Sequence, residues 1–142
     1  MERKPTNVGV SEELLKRVVE FHGHLGPFLV LGVKAGLLAN SLLGKDCFKT
    51  TAIVATKPSP PTSCFVDGVQ FVTGCTMGKG NIKLTKGRNT SVVFMKEGKT
   101  VRLKVKDEVL KSINRIASEE ESRKESLKLL DRPVSDLFEV EK

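Results

Sequence analysis

The stretch that decides the fold is PFLVLGVKAGLLANSLL, at residues 27–43. Pro27 stands where a helix tolerates proline best, in its first turn, and the apolar residues that follow predict a helix as far as Leu43. Lys34 and several glycines interrupt the apolar run, which indicates a helix buried within the protein rather than a membrane span. One face of this helix carries residues suited to close contact with another helix or a sheet: Gly32, Gly36, Ala39 and Asn40.

A shorter helix is predicted ahead of the buried one. Ser11 offers a capping hydroxyl, and Glu12 and Glu13 place acidic groups at the positive end of the helix dipole. Apolar residues at helical spacing then continue this helix to about Glu20. The turn His22-Gly23-His24 breaks the helix and leads into the next one.

Downstream of the buried helix, strand signals alternate with turn signals. Residues 50–57 are β-branched and apolar, which predicts a strand. The prolines of residues 57–61 predict a rigid loop, and Thr62 or Ser63 then caps a helix over residues 64–73. Three further strands are predicted in the middle of the chain, at residues 81–86, 90–95 and 100–106.

The C-terminal part is predicted to be mainly helical. One helix begins at Asp107, a second helical stretch contains residues 127–130, and residues 131–142 form a docking tail. The predicted fold class is therefore α+β, an α-β-α-β-β-β core with a mixed four-stranded sheet plus C-terminal helices. We expect a single domain over residues 1–142, with its core at about 11–110 and a helical extension at 107–142.

Positive charge is concentrated in the middle of the chain. The net charge is +7, and residues 79–111 carry 10 Lys or Arg against 3 Asp or Glu, so the whole excess lies there. This segment either faces an anionic partner or forms the solvated face of a sheet, because basic residues alternate with Val101, Leu103 and Val105. The chain has no Trp or Tyr to stack on bases and no recognised nucleic-acid motif, which argues against nucleic-acid binding.

The cysteine count and the N-terminus indicate a compartment. Cys47, Cys64 and Cys75 cannot all pair within the chain, which favours a reducing environment. Residues 1–5 lack the apolar core of a secretory signal. We therefore expect a cytoplasmic protein without membrane association.

Both histidines and one cysteine are the best candidates for chemistry. His22 and His24 lie at the start of a helix, and Gly23 between them lets the backbone turn so that both imidazoles aim at one point. Cys64 follows a rigid loop in the first turn of its helix, where the dipole lowers the pKa of a thiol. Asp67 lies one turn further on the same side, where it can orient a ligand. We predict His22, His24 and Cys64 as metal ligands, and Cys64, His24 and Asp67 as catalytic residues.

Cys75 poses a geometric problem. With residues 64–73 helical at about 1.5 Å per residue, Cys64 and Cys75 lie roughly 15 Å apart. That is too far for one metal ion to bind both thiols, so Cys75 belongs elsewhere in the cleft or meets the site across a dimer interface. The loop around Cys75 can form an anion-binding nest of backbone N–H groups, and we predict as its cofactor-binding residues Cys75, Thr76, Lys79 and Asn81.

Three segments of the chain resemble one protein family. They are FHGHLGP at residues 21–27, CFVDGVQ at 64–70 and TGCTMGKGN at 73–81. In sequence and order they are similar to the formylmethanofuran dehydrogenase E-subunit (FmdE) family, and the resemblance covers about residues 11–110. It implies a fold shared with the catalytic domain of glyceraldehyde-3-phosphate dehydrogenase.

The resemblance also implies a cofactor and partners. Family members pair as homodimers with a cleft that carries conserved His and Cys residues, often with a bound metal, for which zinc is preferred. Their genes are associated with molybdenum or tungsten formylmethanofuran dehydrogenase, an enzyme of one-carbon metabolism related to methanogenesis. The components of that enzyme are therefore expected partners, although no established reaction comes with the family.

The chain departs from the family pattern in two places. Many members resemble His-Gly-His-x-Cys-Pro-Gly, whereas this chain has Gly26 in place of the cysteine and Phe28 in place of the glycine. One thiol is therefore missing, which argues against dithiol chemistry. Some relatives carry a C-terminal four-cysteine zinc ribbon, but no cysteine follows Cys75 here.

Three functions stay open from the sequence. The first is a metal-binding accessory protein or small enzyme, with zinc on His22, His24 and Cys64 and an open position for water or a small anionic substrate. The second is a metal-free thiol enzyme with Cys64 as nucleophile and a histidine as base. The third is an anion-binding or nucleic-acid-binding module that uses residues 79–111. The residues alone do not decide whether the chain is an enzyme.

Overall fold

The computed structural model describes residues 9–142 of the chain. Its helices are α1 (Glu12–His22), α2 (Pro27–Leu43), α3 (Phe65–Thr73), α4 (Asp107–Asn114), α5 (Glu119–Asp131) and α6 (Val134–Leu137). Its strands are β1 (Thr51–Thr56), β2 (Ile82–Lys86), β3 (Ser91–Lys96), β4 (Lys99–Val105) and β5 (Phe138–Glu141). A single 3₁₀ turn, Thr62–Cys64, leads into α3.

The strands form one mixed sheet in the order β2-β1-β3-β4-β5. Strand β1 runs parallel to β2, and the pairs β1–β3, β3–β4 and β4–β5 are antiparallel. The predicted α+β class with a mixed sheet is therefore confirmed.

The strand count differs from the prediction. Residues 131–142, predicted as a docking tail, instead contain α6 and a fifth strand that pairs with the edge of β4. Four residues are too few for an alternating pattern to be distinguished from a polar tail, so the strand is defined by its pairing rather than by its sequence.

The first helix is longer than predicted. It begins as expected, since the Ser11 hydroxyl accepts a hydrogen bond from the backbone N–H of Leu14. It ends at His22 rather than at about Glu20, because Gly23 adopts a left-handed conformation with φ of 111° and donates its N–H to the carbonyl of Val19. His22 is therefore held on the last turn of a regular helix.

Helices α2 and α3 pack with almost no space between their backbones. A Cβ atom at Gly32 would overlap the carbonyl oxygen of Phe65, and one at Gly68 would lie 2.5 Å from the carbonyl oxygen of Leu29. Further along α2, the Asn40 side chain donates a hydrogen bond to a carbonyl of α3, at Val72. The predicted small-residue face of α2 is thus its contact with another helix.

A buried lysine joins α2 to the C-terminal part of the chain. Lys34 is fully buried, and its ammonium group donates to the carbonyl oxygens of Leu129 and Leu130, both at 3.0 Å, and to that of Arg132. These carbonyls belong to the end of α5, where a helix leaves its last C=O groups without internal partners. Burial lowers the pKa of Lys34, and the Asp131 carboxylate acts against that shift.

Part of the positive charge lies on a sheet face opposite acidic residues. Arg102 of β4 lies opposite Glu141 of β5, and Lys104 lies opposite Glu139, with 3.8 Å between ammonium and carboxylate. Lys96 donates instead to the carbonyls of Leu43 and Gly44 at the end of α2. Lys104 and Lys96 therefore have partners within the chain, and Arg102 faces an acidic residue across the sheet.

No helix within residues 9–142 combines the length and the apolar character needed to cross a bilayer. Helix α2, the most apolar of them, is buried along most of its length.

We predict that Gly68→Ala destabilises the protein by about 2 kcal/mol or more, since a methyl group would meet the backbone of α2, which moves only if the whole helix moves. The matched control is Gly78→Ala, where a Cβ atom meets nothing within 4 Å. Urea unfolding followed by far-ultraviolet circular dichroism measures both. Equal midpoints for Gly68→Ala and wild type would contradict the close helix contact.

We predict that Lys34→Met lowers the free energy of unfolding by about 2 kcal/mol, because buried carbonyls at the end of α5 lose their donor. The control is Lys128→Met, which replaces an exposed lysine of α5. It should change stability by less than about 0.5 kcal/mol. The same unfolding experiment compares the two variants. A wild-type midpoint for Lys34→Met would show that the ammonium group does not anchor α5.

Candidate metal centre

The structure brings His22, His24 and Cys64 together. One potential ligand atom from each residue lies within 4.8 Å of the others. His22 ends α1, Gly23 reverses the chain, and Cys64 stands at the N-terminal end of α3 as its N-cap residue. The close packing of α2 on α3 holds the histidine turn next to Cys64, although His22 and Cys64 are far apart in sequence.

His22 is oriented by Asp67. The Nδ1 atom of His22 lies 2.6 Å from Oδ2 of Asp67, so Nδ1 carries the hydrogen and donates it to the carboxylate. The imidazole is nearly buried, with 8% of the side chain exposed, whereas the Asp67 side chain is 38% exposed. The lone pair of the neutral ring is therefore on Nε2, the form that binds a metal.

The Nε2 atom of His22 is buried and has no hydrogen-bond partner among residues 9–142. Buried polar atoms almost always have a partner, and each exception needs an explanation. His22, His24 and Cys64 each bring a ligand atom within 4.8 Å of the others, so a cation bound between the three side chains through Nε2 would satisfy this atom. This atom is the strongest local evidence that the cluster is a ligand site.

His24 forms the outer side of the cluster. It is exposed, and its ring centroid lies 4.7 Å from that of His22 at an interplanar angle of 60°. A Cβ atom at Gly26 would lie 3.2 Å from Cε1 of His24. Glycine at this position therefore leaves room for the ring.

Cys64 behaves differently from the prediction. Burial raises the pKa of the Cys64 thiol, the nearby Asp67 carboxylate raises it further, and a backbone hydrogen bond opposes both. The expectation that the helix end lowers this pKa is therefore wrong for the metal-free chain. The thiol is protonated at neutral pH, and a bound cation would have to displace its proton.

The donor set of the cluster suits zinc. Imidazole nitrogen and thiolate sulfur are ligands that Zn²⁺ prefers, and zinc sites with three protein ligands keep a fourth position for water or substrate. A carboxylate that accepts the second ring hydrogen of a ligand histidine, as Asp67 does here, is also usual in zinc sites. The residues present therefore fit a zinc ion with one open position.

Cys75 is separate from this cluster. Its side chain is fully buried, and its thiol donates to the carbonyl oxygen of Thr50 at 3.3 Å. Burial raises the pKa of the Cys75 thiol. Cys47 packs against Gly74 next to Cys75, and its carbonyl accepts a hydrogen bond from Asn81. Neither thiol belongs to the group that converges with His22.

The predicted anion-binding loop is closed by its own hydrogen bonds. The N–H of Thr76 donates to the Asn81 side chain, the N–H of Met77 to the Gln70 side chain, and the N–H of Lys79 to the Thr76 hydroxyl. An anion would have to compete with these acceptors for the same donors. The Asn81 side chain also donates to the carbonyls of Cys47 and Thr50, which gives it a structural role.

An apolar groove next to the cluster was not predicted from the sequence. It is lined by Phe21, Gln70, Phe71, Gly74, Thr76, Met77 and Gly78. Phe21 and Phe71 occupy positions that fit a helix core, so periodicity gives no sign of their exposure. The nearest signal in the sequence is Phe21 itself, directly before the histidine turn.

Comparison with known proteins identifies the family. The family model described as FmdE, molybdenum formylmethanofuran dehydrogenase operon, matches residues 21–141. The chain therefore belongs to the FmdE family.

A curated relative and a solved structure are also similar. A probable S-adenosyl-L-methionine-binding protein of Archaeoglobus fulgidus is 38% identical over 99 residues, which are 67% of this chain and 27% of that protein. The match thus spans about a quarter of the relative's length. The crystal structure of a tungsten formylmethanofuran dehydrogenase FmdE-like protein from Syntrophus aciditrophicus has a TM-score of 0.67 at 21% identity, covering 98% of this chain and 76% of that one. It shows a shared fold.

We predict that Asp67→Asn weakens zinc binding by about 10- to 100-fold, because the amide is a poorer acceptor for the Nδ1 hydrogen of His22. The control is Asp46→Asn, whose carboxylate accepts hydrogen bonds from the backbone of Phe48 and Lys49 in a separate turn. Competition with a zinc-sensitive chelating dye measures both affinities. Equal affinities for the two variants would show that Asp67 does not orient the ligand.

Proposed function

We propose that this FmdE-family chain is a zinc-binding protein that uses His22, His24 and Cys64 as ligands. The buried, unpartnered Nε2 atom of His22 is the observation that carries the proposal. His22, His24 and Cys64 each offer a ligand atom of the type that zinc prefers, and these atoms lie within 4.8 Å of one another. Asp67 is a positioning residue that holds His22 in the required tautomer.

The chemistry of the centre follows from its open side. Bound zinc would supply a Lewis acid that can polarise a carbonyl group or lower the pKa of water. His24 is exposed and Asp67 is partly exposed, so both can contact a molecule that enters from solvent. A small anionic substrate fits the open position of a cationic centre.

The cellular role that we propose rests on the family. The chain resembles the FmdE component of formylmethanofuran dehydrogenase in sequence family and in fold. We therefore assign it a role in one-carbon metabolism, as a cytoplasmic homodimer that acts with components of a molybdenum or tungsten formylmethanofuran dehydrogenase. Sedimentation of the purified chain, alone and with those components, tests both associations.

A metal-free thiol enzyme is the less favoured function. Such an enzyme needs Cys64 as a thiolate near neutral pH, with His22 or His24 as its base. Burial and Asp67 instead raise the pKa of this thiol. The hydrogen bond from His22 to Asp67 suits a base as well as a metal ligand, so the pKa of the thiol is the observation that disfavours this function.

An anion-binding or nucleic-acid-binding module is also disfavoured. Within residues 79–111, Lys104 lies near Glu139 and Lys96 caps α2. Arg102 lies opposite Glu141 in the sheet. Three of the ten basic residues of this segment thus face groups within the chain, which leaves less positive charge for one continuous basic surface.

We predict that the metal-free chain binds one zinc ion and releases about one proton at pH 7, since Cys64 must lose its proton to become a ligand. Cys64→Ser and His22→Gln should each weaken binding at least about tenfold, because each removes a ligand. Isothermal titration in buffers of different ionisation enthalpy measures affinity and proton release together.

Cys47→Ser is the control for this experiment, because it removes a thiol outside the cluster. It should bind zinc like the wild type. Equal zinc affinity in wild type and Cys64→Ser would eliminate Cys64 as a ligand and with it the proposed centre.

A further inference from the structure

The exposed apolar side chains of the protein are not scattered evenly. Three of the largest lie around the loop of residues 74–81: Phe21, Phe48 and Met77, which are 55%, 78% and 78% exposed. Clustered apolar exposure of this kind marks binding surfaces, whereas single exposed residues do not. Two of these residues, Phe21 and Met77, line the groove described above.

The groove has the size and lining of a small-molecule site. Its volume is about 490 Å³, within the usual range of ligand pockets, and most of its lining is apolar. The rings of Phe21 and Phe71 pack against each other on one side with centroids 5.5 Å apart. Met77 also lines the groove, and its flexible thioether adapts to aromatic surfaces.

A few polar groups border the apolar lining. The carbonyl oxygen of the Gln70 side chain accepts the N–H of Met77, which leaves the NH₂ group of the same side chain to donate to a ligand. The ammonium group of Lys79 lies 3.0 Å from the Thr76 hydroxyl, a lining residue, and 5.7 Å from the centre of the Phe48 ring. The lysine therefore places a positive charge at the rim of the groove.

The groove lies beside the candidate zinc centre. The His22–Asp67 hydrogen bond and the Phe21–Phe71 contact both join α1 to α3. Asp67 and Phe71 are four residues apart on α3, which is about one helical turn or 5–6 Å. A ligand in the groove would therefore have one end close to the cluster of ligand residues.

From this arrangement we infer that the groove binds a small aromatic anion, with its ring system between Phe21, Phe71 and Met77 and its anionic group at Lys79. Apolar walls favour the ring, and the lysine favours a carboxylate, sulfonate or phosphate over a neutral group. Binding does not require the metal, so this site stands independently of the proposed zinc centre.

The probe is 1-anilinonaphthalene-8-sulfonate, an aromatic anion whose fluorescence rises in apolar surroundings. The full-length, zinc-free chain should bind one molecule saturably. Met77→Glu should weaken binding by about tenfold or more, because it replaces an apolar wall of the groove with a negative charge that repels the anionic probe. Lys79→Gln should weaken binding by about fivefold. The control is Leu127→Glu on α5, which alters another exposed apolar residue and should leave binding unchanged.

Displacement of the probe tests the role of the charge. Naphthalene-1-sulfonate should displace it from the wild type at a lower concentration than 1-naphthalenemethanol, and Lys79→Gln should remove most of that difference. Circular dichroism of each variant verifies that it is folded. Unchanged probe binding in folded Met77→Glu would overturn the proposal. So would a preference for naphthalene-1-sulfonate over 1-naphthalenemethanol that is as large in Lys79→Gln as in the wild type.

A second copy of the chain is the competing occupant. If the groove were the contact between two copies, Met77→Glu would convert a dimer into a monomer in sedimentation, and the wild-type dimer would not bind the probe there. That result would also overturn the proposal. Loss of probe binding with retained zinc binding, or the reverse, separates the groove from the zinc centre.

Discussion

The contact between the backbones of α2 and α3 is the constraint on which the rest of the structure depends. Gly32 and Gly68 face each other with no room for a Cβ atom on either side. This approach fixes the N-terminal end of α3, with Cys64 and Asp67, beside the turn that precedes α2. Two residues without side chains thus determine where the chemically active side chains meet.

Burial and charge then act together where His22, Cys64 and Asp67 come close to one another. The Asp67 carboxylate accepts the Nδ1 hydrogen of His22 and so leaves Nε2 as the free ring nitrogen, while burial and the same carboxylate raise the pKa of the metal-free Cys64 thiol. Both effects suit a site in which a bound cation supplies the missing partner of these side chains. A bound dication would reverse the cost of the Cys64 thiolate, because it becomes the largest charge in the site.

The sequence predicted the main parts of the fold and the members of the cluster, because these depend on local signals. The amino-acid sequence directly shows the helical periodicity, the small residues of α2 and the spacing from His22 to His24. Features set by long-range packing were not predictable: the pairing of β5 with β4, the partners of Lys34, and the direction in which the Cys64 pKa shifts. Each depends on a neighbour that only the folded chain supplies.

The hydrogen bonds of Lys34 define where this unit can be divided. Residues 11–110 hold every member of the cluster, yet removal of α5 would take away the carbonyl acceptors of Lys34 and uncover the apolar core that Leu129 completes. The net stability of a small fold is only a few kcal/mol, so newly exposed core surface on this scale is not tolerated. Any recombination, fusion or truncation that preserves function must therefore carry α5 along with α2, so the extension is an integral part of the module and not an appendage to it.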